Sequence, residues 1–263
     1  MDFEEPLIVE LYGRSGTGKT ALLSTFPKPI LILDVKDHGS ESAKCKQLKR
    51  GDIHVISIES SSDLEEVYDY LLDNPGKYKT VGIDTVTGLQ EMMLVETKEE
   101  EKKSQASQRI FGIVGDKLKL WILNFKELTS EGITPVFLCQ DRLDNPDTEA
   151  EDQLNPEIGP GLMPAVAKFL NAAVKVIGHT YIQTKVEKVD DGKKIKKKES
   201  VEFRLRLGPN PYYITKIRQP KGSFLPDYLT NPSYDDIKAI TLGEYEEPQK
   251  ESKKSKKLGK KKK

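Results

Sequence analysis

Cysteine is scarce in this chain. Cys45 and Cys139 are the two among 263 residues, far apart and without a C-x-x-C partner, so neither a disulfide framework nor a zinc-ligand spacing is indicated. Long apolar runs are missing too: those around residues 30–33 and 136–139 fall far short of the roughly 20 residues that cross a bilayer. The opening MDFEEP lacks a basic, apolar signal, so the expectation is a soluble, cytoplasmic protein with no membrane partner. His38, His54 and His179 show no ligand spacing with one another or with cysteine, and no metal site is read from them. Net charge is also absent, but only by cancellation. Residues 250–263 hold nine of the 42 basic residues and one of the 42 acidic ones, which leaves 33 against 41 elsewhere, a net charge of −8.

What is present is an alternation of short apolar strands and amphipathic helices through the first two thirds, which argues for an α/β fold around a mostly parallel sheet. Strands are expected at residues 7–11, 29–33, 54–58, 80–83, 134–139 and 173–177. Between the third and fourth, Ser62 and Glu65 stand at capping-box spacing ahead of a helix with Leu64, Val67, Tyr68, Leu71 and Leu72 on one face. Helical pattern runs over residues 88–128 and includes the charged patch KEEEKKSQASQR, read as an exposed helix end or loop. Beyond residue 178, YIQTKVEKV and SVEFRLRL alternate around a turn with Asp191 and Gly192, a β-hairpin that extends the sheet in antiparallel fashion. A Pro-rich stretch over 219–232 and a short helix at 234–240 follow. The expected organisation is one domain over residues 1–247 and a disordered Lys-rich tail over 248–263. In the tail Leu258 is the lone apolar residue, so nothing offsets the entropy of ordering it.

Two motifs carry chemistry. GRSGTGKT (Gly13, Arg14, Ser15, Gly16, Thr17, Gly18, Lys19, Thr20) follows an expected strand and opens the helix ALLSTF, the context that a phosphate-binding P-loop requires. Its glycines let successive N–H groups point at a phosphate, with the helix N-terminus adding positive charge; Lys19 would reach the β- and γ-phosphates and Thr20 would ligate Mg²⁺. In TVGIDTVTG, residues 80–88, a buried strand ends in Asp84, which would hold the same metal or its water. Thr85 follows it, where ATPases of the AAA+ type carry a glutamate that orients the attacking water.

This order of features resembles the RecA-type ATPase core, in particular the phage-encoded RecA-like proteins of single-strand annealing and recombination, over roughly residues 6–240. The resemblance implies a RecA-like P-loop fold and a catalytic carboxylate at the end of the strand after the P-loop helix. There this chain reads ILILDVKDHG: counted from Asp34, Lys36 occupies the position, and an ammonium cannot accept a proton from water while it is charged. Counted back from Gly39, Asp37 does, and Asp37 is taken as the candidate base. The resemblance further implies that Gln140, closing VFLCQ, senses the γ-phosphate, and that the acidic stretch following Arg142 stands where a DNA-contacting loop lies. Lys216 and Arg218, two apart and so on one strand face, match a Lys-x-Arg pair that enters a neighbouring subunit's site. Gln140 as a plain surface residue, and Lys216 with Arg218 as solvated strand positions, stay open as alternatives.

The function expected is an ATP- and Mg²⁺-dependent ATPase, catalytic through Lys19, Asp37, Gln140, Lys216 and Arg218, acting on single-stranded DNA in recombination or replication. It would self-associate into a ring or filament, with a single-strand binding protein as a possible further partner. KKIKKK at 193–198 and the tail are candidate phosphate contacts, or equally a hairpin tip and a solubilising end. A nucleotide-dependent switch with little turnover, which Lys36 favours, and a small-molecule kinase are the alternatives.

Overall fold

Four strands are buried at every position: β1 (Val9–Tyr12), β2 (Ile30–Val35), β4 (Thr80–Asp84) and β5 (Thr134–Cys139). Burial on both faces is what near-continuous apolar strands need, and a parallel sheet covered by helices on both sides supplies it. The computed structural model describes residues 6–35, 51–144, 157–190 and 195–246. In chain order, α1 (Lys19–Leu23) follows β1, and β3 (Ile53–Ile58) and α2 (Ser61–Asp73) follow β2. After β4 come α3 (Val86–Glu100) and α4 (Gln108–Glu127); after β5 come β6 (Asp141–Asp144), β7 (Glu157–Pro160) and α5 (Pro164–Ala173). The chain closes with β8 (Val176–Asp190), β9 (Ile195–Arg206), β10 (Leu229–Thr230) and α6 (Tyr234–Leu242).

Among the described residues the main sheet runs β10-β9-β8-β1-β5-β4-β2-β3. Its pairings from β8 to β3 are parallel, and β8–β9 and β9–β10 are antiparallel. This is the α/β architecture expected: a mostly parallel sheet flanked by helices, with an antiparallel extension toward the C-terminus. Alternate side chains feed two cores. Leu31, Leu33, Val81 and Ile83 meet α2 to α5 on one face, while Ile30, Ile32, Val136 and Leu138 meet α1 and α6 on the other. Each fully buried residue of this size contributes about 1.5–3 kcal/mol.

Three expectations change. Helix α2 begins two residues earlier, because Ser60 and Asp63 form the capping box: the Ser60 hydroxyl accepts from Asp63 N, and the Asp63 carboxylate accepts from Ser60 N at 3.0 Å and Glu59 N at 2.8 Å. Leu64, Val67 and Leu71 then face the core and Leu72 turns outward, 46% exposed. The expected strand at 173–177 is instead the start of a single long strand, β8. Pro164 opens α5 at a position where a missing N–H costs nothing, and that helix fills the interval through Ala173. Lys216 and Arg218 do not lie on a strand; Lys216 makes one isolated antiparallel bridge to Ile177 within irregular chain. The helical span does break at the charged patch, with Ser107 capping α4. Residues 248–263 lie outside the described residues.

Candidate nucleotide-binding site

After Tyr12 the chain turns through residues 13–20, with Gly13, Gly16 and Gly18 at φ 155°, 79° and 90°. A side chain on Gly13 would run into the Thr180 carbonyl, so β8 fixes how closely the loop lies over the sheet. The Thr17 hydroxyl donates to the Arg14 carbonyl at 2.8 Å and lies 2.7 Å from the Thr180 hydroxyl, tying the loop to the same strand. Lys19 is 7% exposed. Its ammonium donates to the Gly13 carbonyl at 2.6 Å and the Arg14 carbonyl at 2.9 Å, so the positive charge is held inside the loop by the loop's own acceptors. Helix α1 is only five residues, ending before Pro27 and Pro29. That is little more than one turn, and its dipole adds less than the sequence reading assigned to it; the loop N–H groups and Lys19 carry the attraction for phosphate.

The Thr20 hydroxyl donates to Asp84 Oδ2 at 2.7 Å, across 64 residues of sequence. Asp84 ends β4, is 8% exposed and pairs in register with Asp34 of the neighbouring parallel strand β2. Paired positions point to the same face, so a second nearly buried carboxylate stands beside the first. The sequence reading counted from Asp34 but gave it no role of its own; its signal was the apolar run ILIL leading into an acid at a strand's carboxyl end, where α/β sheets bind ligands. Thr85, joined to Asp84 by a cis peptide bond, caps α3 by accepting from Gly88 N at 3.0 Å. Beyond it lies a cleft of about 220 Å³ between Val35, Thr87, Gly88 and Gln140. Gln140 N donates to the Thr87 hydroxyl at 3.1 Å, and its carbonyl accepts from Gly161 N at 2.7 Å, so Gln140 stands at the base of the β6–β7 hairpin.

The donor set fits Mg²⁺. A hydroxyl and a carboxylate are hard oxygen ligands, and this ion keeps most of its shell as water and phosphate, so it needs no larger protein cluster. Among the described residues there is no group of three or more His, Cys, Asp or Glu that could hold a metal.

Other expected residues are placed differently. Asp37 lies outside the described residues, as do Lys36 and His38, one to three positions beyond the end of β2 in sequence. The Lys216 ammonium donates to the carbonyls of Asn171 at 2.9 Å and Val174 at 2.6 Å, at the end of α5 in its own chain. Burial, ahead of the nearby Arg218, lowers its pKa. Arg218 is exposed.

Beneath the loop stand two titratable groups whose burial the sequence reading did not state, Glu10 of β1 and His179 of β8. Glu10 is fully buried; the Cys139 thiol lies 3.8 Å from Oε1, and the Asn171 carboxamide, oriented to donate, reaches Oε2 at 3.0 Å. Burial pushes Glu10 up to about 8, against the lowering effects of the Cys139 contact and Lys216. On the opposite flank His179, paired with Tyr12, stacks on Tyr213 at 4.3 Å beside Arg206. Burial, then Arg206 and Lys19, pulls it down to about 4.

A glycine-bent loop holding a buried lysine, with a strand-end aspartate bonded to the loop's threonine, defines a P-loop nucleotide-binding protein. Residues 5–218 match the model of a family described as AAA domain, and the chain belongs to that family: it is a P-loop ATPase of the AAA domain class. No curated protein matches the chain. Among solved structures it is similar to a KaiC-like protein from the hyperthermophilic archaeon Pyrococcus horikoshii, at 13% identity and a TM-score of 0.42 over 87% of this chain and 90% of that one. No helix among the described residues is long and apolar enough to cross a membrane.

Proposed function

We propose that the protein hydrolyses ATP with Mg²⁺ and couples that turnover to single-stranded DNA, as a self-associating ATPase of the phage recombination or replication kind. The observation that supports it most is the 2.7 Å contact between Thr20 and Asp84 beside the buried Lys19. It brings two oxygen donors and a cation to one end of the P-loop. Thr20 and Asp84 would hold Mg²⁺, which when bound neutralises charge on the β- and γ-phosphates. Lys19 adds a positive charge at the loop. A carboxylate from the end of β2, Asp37 or Asp34, accepts the proton of the attacking water as its oxygen bonds to the γ-phosphorus and the bond to the β-phosphate oxygen breaks. Gln140 lines the cleft beside Thr87 and, through its carbonyl bond to Gly161 N, meets the β6–β7 hairpin; in this reading it passes a change at the phosphates toward residues 145–156. Arg218, exposed near the end of the family match, serves a neighbouring subunit's site, while Lys216 steadies α5 and the segment that carries Arg218. The nine lysines of 250–263 supply the phosphate contacts of a DNA-bound state.

Turnover of ATP with and without single-stranded DNA, at two salt concentrations, tests the whole reading. Stimulation that weakens with salt is expected; ATP turnover indifferent to DNA, with no salt-sensitive binding, removes the DNA partner and leaves the ATPase. A switch with little turnover is the second reading, favoured by Thr85 where a water-orienting glutamate would stand and by Lys36 after β2. Mg²⁺-dependent ATP binding without phosphate release supports it.

A further inference from the structure

The P-loop has a second open flank. On the side away from Asp84 and the Thr87 cleft, a cleft of about 210 Å³ runs from the loop to the edge of the antiparallel extension, between Gly18 and Ala21 on one wall and Phe203, Arg204, Asn231 and Pro232 on the other. Phe203 is 42% exposed although it sits in β9 beside the phosphate loop. Its ring lies so close to Gly18 that a Cβ there would come within 3.0 Å of the ring carbon Cδ1. A half-exposed aromatic ring beside a phosphate cradle offers a stacking surface to any flat base, because every base has a π-face.

Asn231 supplies the polar edge. Its backbone is left-handed, at φ 49°, a conformation asparagine tolerates, and its N–H donates to the Phe203 carbonyl at 2.7 Å. These two residues are therefore held together. The Asn231 carboxamide lines the cleft and makes no hydrogen bond to another described residue, which leaves its donor and acceptor turned to no neighbour among them. A carboxamide matches the donor–acceptor edge of adenine, whereas guanine's two acceptors suit a guanidinium or ammonium. The one guanidinium lining this cleft is committed elsewhere: Arg204 bonds Glu202 at 2.9 Å and lies over the Tyr228 ring at 4.1 Å.

Polarity along the loop fixes which end of a nucleotide belongs here. Thr20 and Asp84 gather the metal-binding oxygens on one flank, so the terminal phosphates face that way and the nucleoside leaves across Gly18 and Ala21. We infer that the cleft between α1 and the β9–β10 edge seats the nucleoside of the bound nucleotide, with Phe203 stacking on the base and Asn231 selecting adenine over guanine. The inference rests on the P-loop reading above and adds base recognition to it.

Binding by calorimetry separates the two. Full-length protein and the variants Phe203→Ala, Asn231→Ala, Asn231→Gly and Lys19→Ala are titrated, with Mg²⁺, with ATP, GTP and inorganic tripolyphosphate, which offers phosphates and no base. Phe203→Ala is expected to weaken ATP by about tenfold or more and leave tripolyphosphate within about twofold. Asn231→Ala, at an exposed position where alanine strains the left-handed turn without reaching the core, is expected to narrow the preference for ATP over GTP by about fivefold or more, and Asn231→Gly, which the turn accepts, to do the same. Unchanged ATP affinity in Phe203→Ala overturns the seat. So does a parallel loss of tripolyphosphate, which would make the ring a prop for Gly18. A wild-type preference that is absent or survives in Asn231→Ala overturns the base selection. Failure of the wild type to bind either ATP or tripolyphosphate takes down the P-loop reading itself, a result distinct from all of these.

Discussion

The two flanks of the P-loop are built by different means. On the Asp84 flank, the groups sit at the carboxyl ends of adjacent parallel strands, Asp34 of β2 against Asp84 of β4, with Gln140 just past the end of β5. Strand register alone brings them together, and the cleft beyond is walled by Thr87 and Gly88 of the next helix. On the Phe203 flank, the walls come from an antiparallel extension that enters the sheet some 160 residues after the loop, through Thr180, Phe203 and Asn231. The first flank follows from the core fold and the second depends on the extension. Phosphate chemistry should then be separable from base recognition, and each substitution below asks whether it is.

Lys19→Ala has the largest expected effect and ignores the division. It removes a charged donor to phosphate, and ATP and tripolyphosphate should both lose about a hundredfold in affinity. A loss confined to ATP would show that the cation does not serve the phosphates. Gly13→Ala comes next and strikes the seam between loop and extension, since the new Cβ meets a backbone carbonyl of β8 that cannot turn aside. It should cost about 2 kcal/mol of stability in denaturant unfolding. Gly16→Ala, with φ 79° and nothing within 4 Å, should cost about 1 kcal/mol from the backbone alone. Equal costs would mean that Thr180 does not brace the loop.

Asp84→Asn sharpens the comparison on its own side. The Mg²⁺-dependent part of ATP affinity should fall by about tenfold or more, as for losses around a metal site, while binding of the base, read as the ATP-to-GTP ratio, stays put. A change in that ratio would show that the flanks communicate.

How much of this was legible follows the same line. The loop and Asp84 could be read because local sequence encodes them: glycine spacing sets the loop, and an apolar run ending in an acid marks a strand end. Asp34 stood in plain view, but its role depends on register, a pairing between strands that one sequence does not state. Phe203 and Asn231 carried no signal, because a hairpin's alternation says which residues share a face and not which loop that face will meet. Lys216 shows the reverse error: spacing of two was read as strand geometry, and two helix-end carbonyls from α5 hold it instead. The shift of the α2 cap from Ser62 to Ser60 has a local cause, since two overlapping Ser-x-x-acid patterns were present and Asp63 reaches two N–H groups at once.

The smallest effect tests whether the division continues beneath the loop. Strand β1 is bordered by β5, which presents Cys139 to Glu10, and by β8, which presents His179 to Tyr12. Glu10 keeps its proton in the folded protein up to about pH 8 but loses it near 4.5 when unfolded, so between these values folding binds a proton and stability falls as pH rises. His179 has the opposite sign: held near 4 when folded, it takes up a proton near 6.5 when unfolded, so stability is lost as pH falls through that window. From about 4.5 to 6.5 the two slopes oppose each other, and from 6.5 to 8 Glu10 acts alone. Thermal unfolding of the wild type should therefore weaken across pH 6.5–8, by at most about 1.4 kcal/mol per pH unit, and Glu10→Gln should flatten that limb while leaving the acid limb to His179. A wild-type curve already flat above 6.5 would mean that Glu10 is ionised within the fold, held by Asn171 and Lys216, and that the β5 flank of β1 carries a negative charge under the phosphate loop.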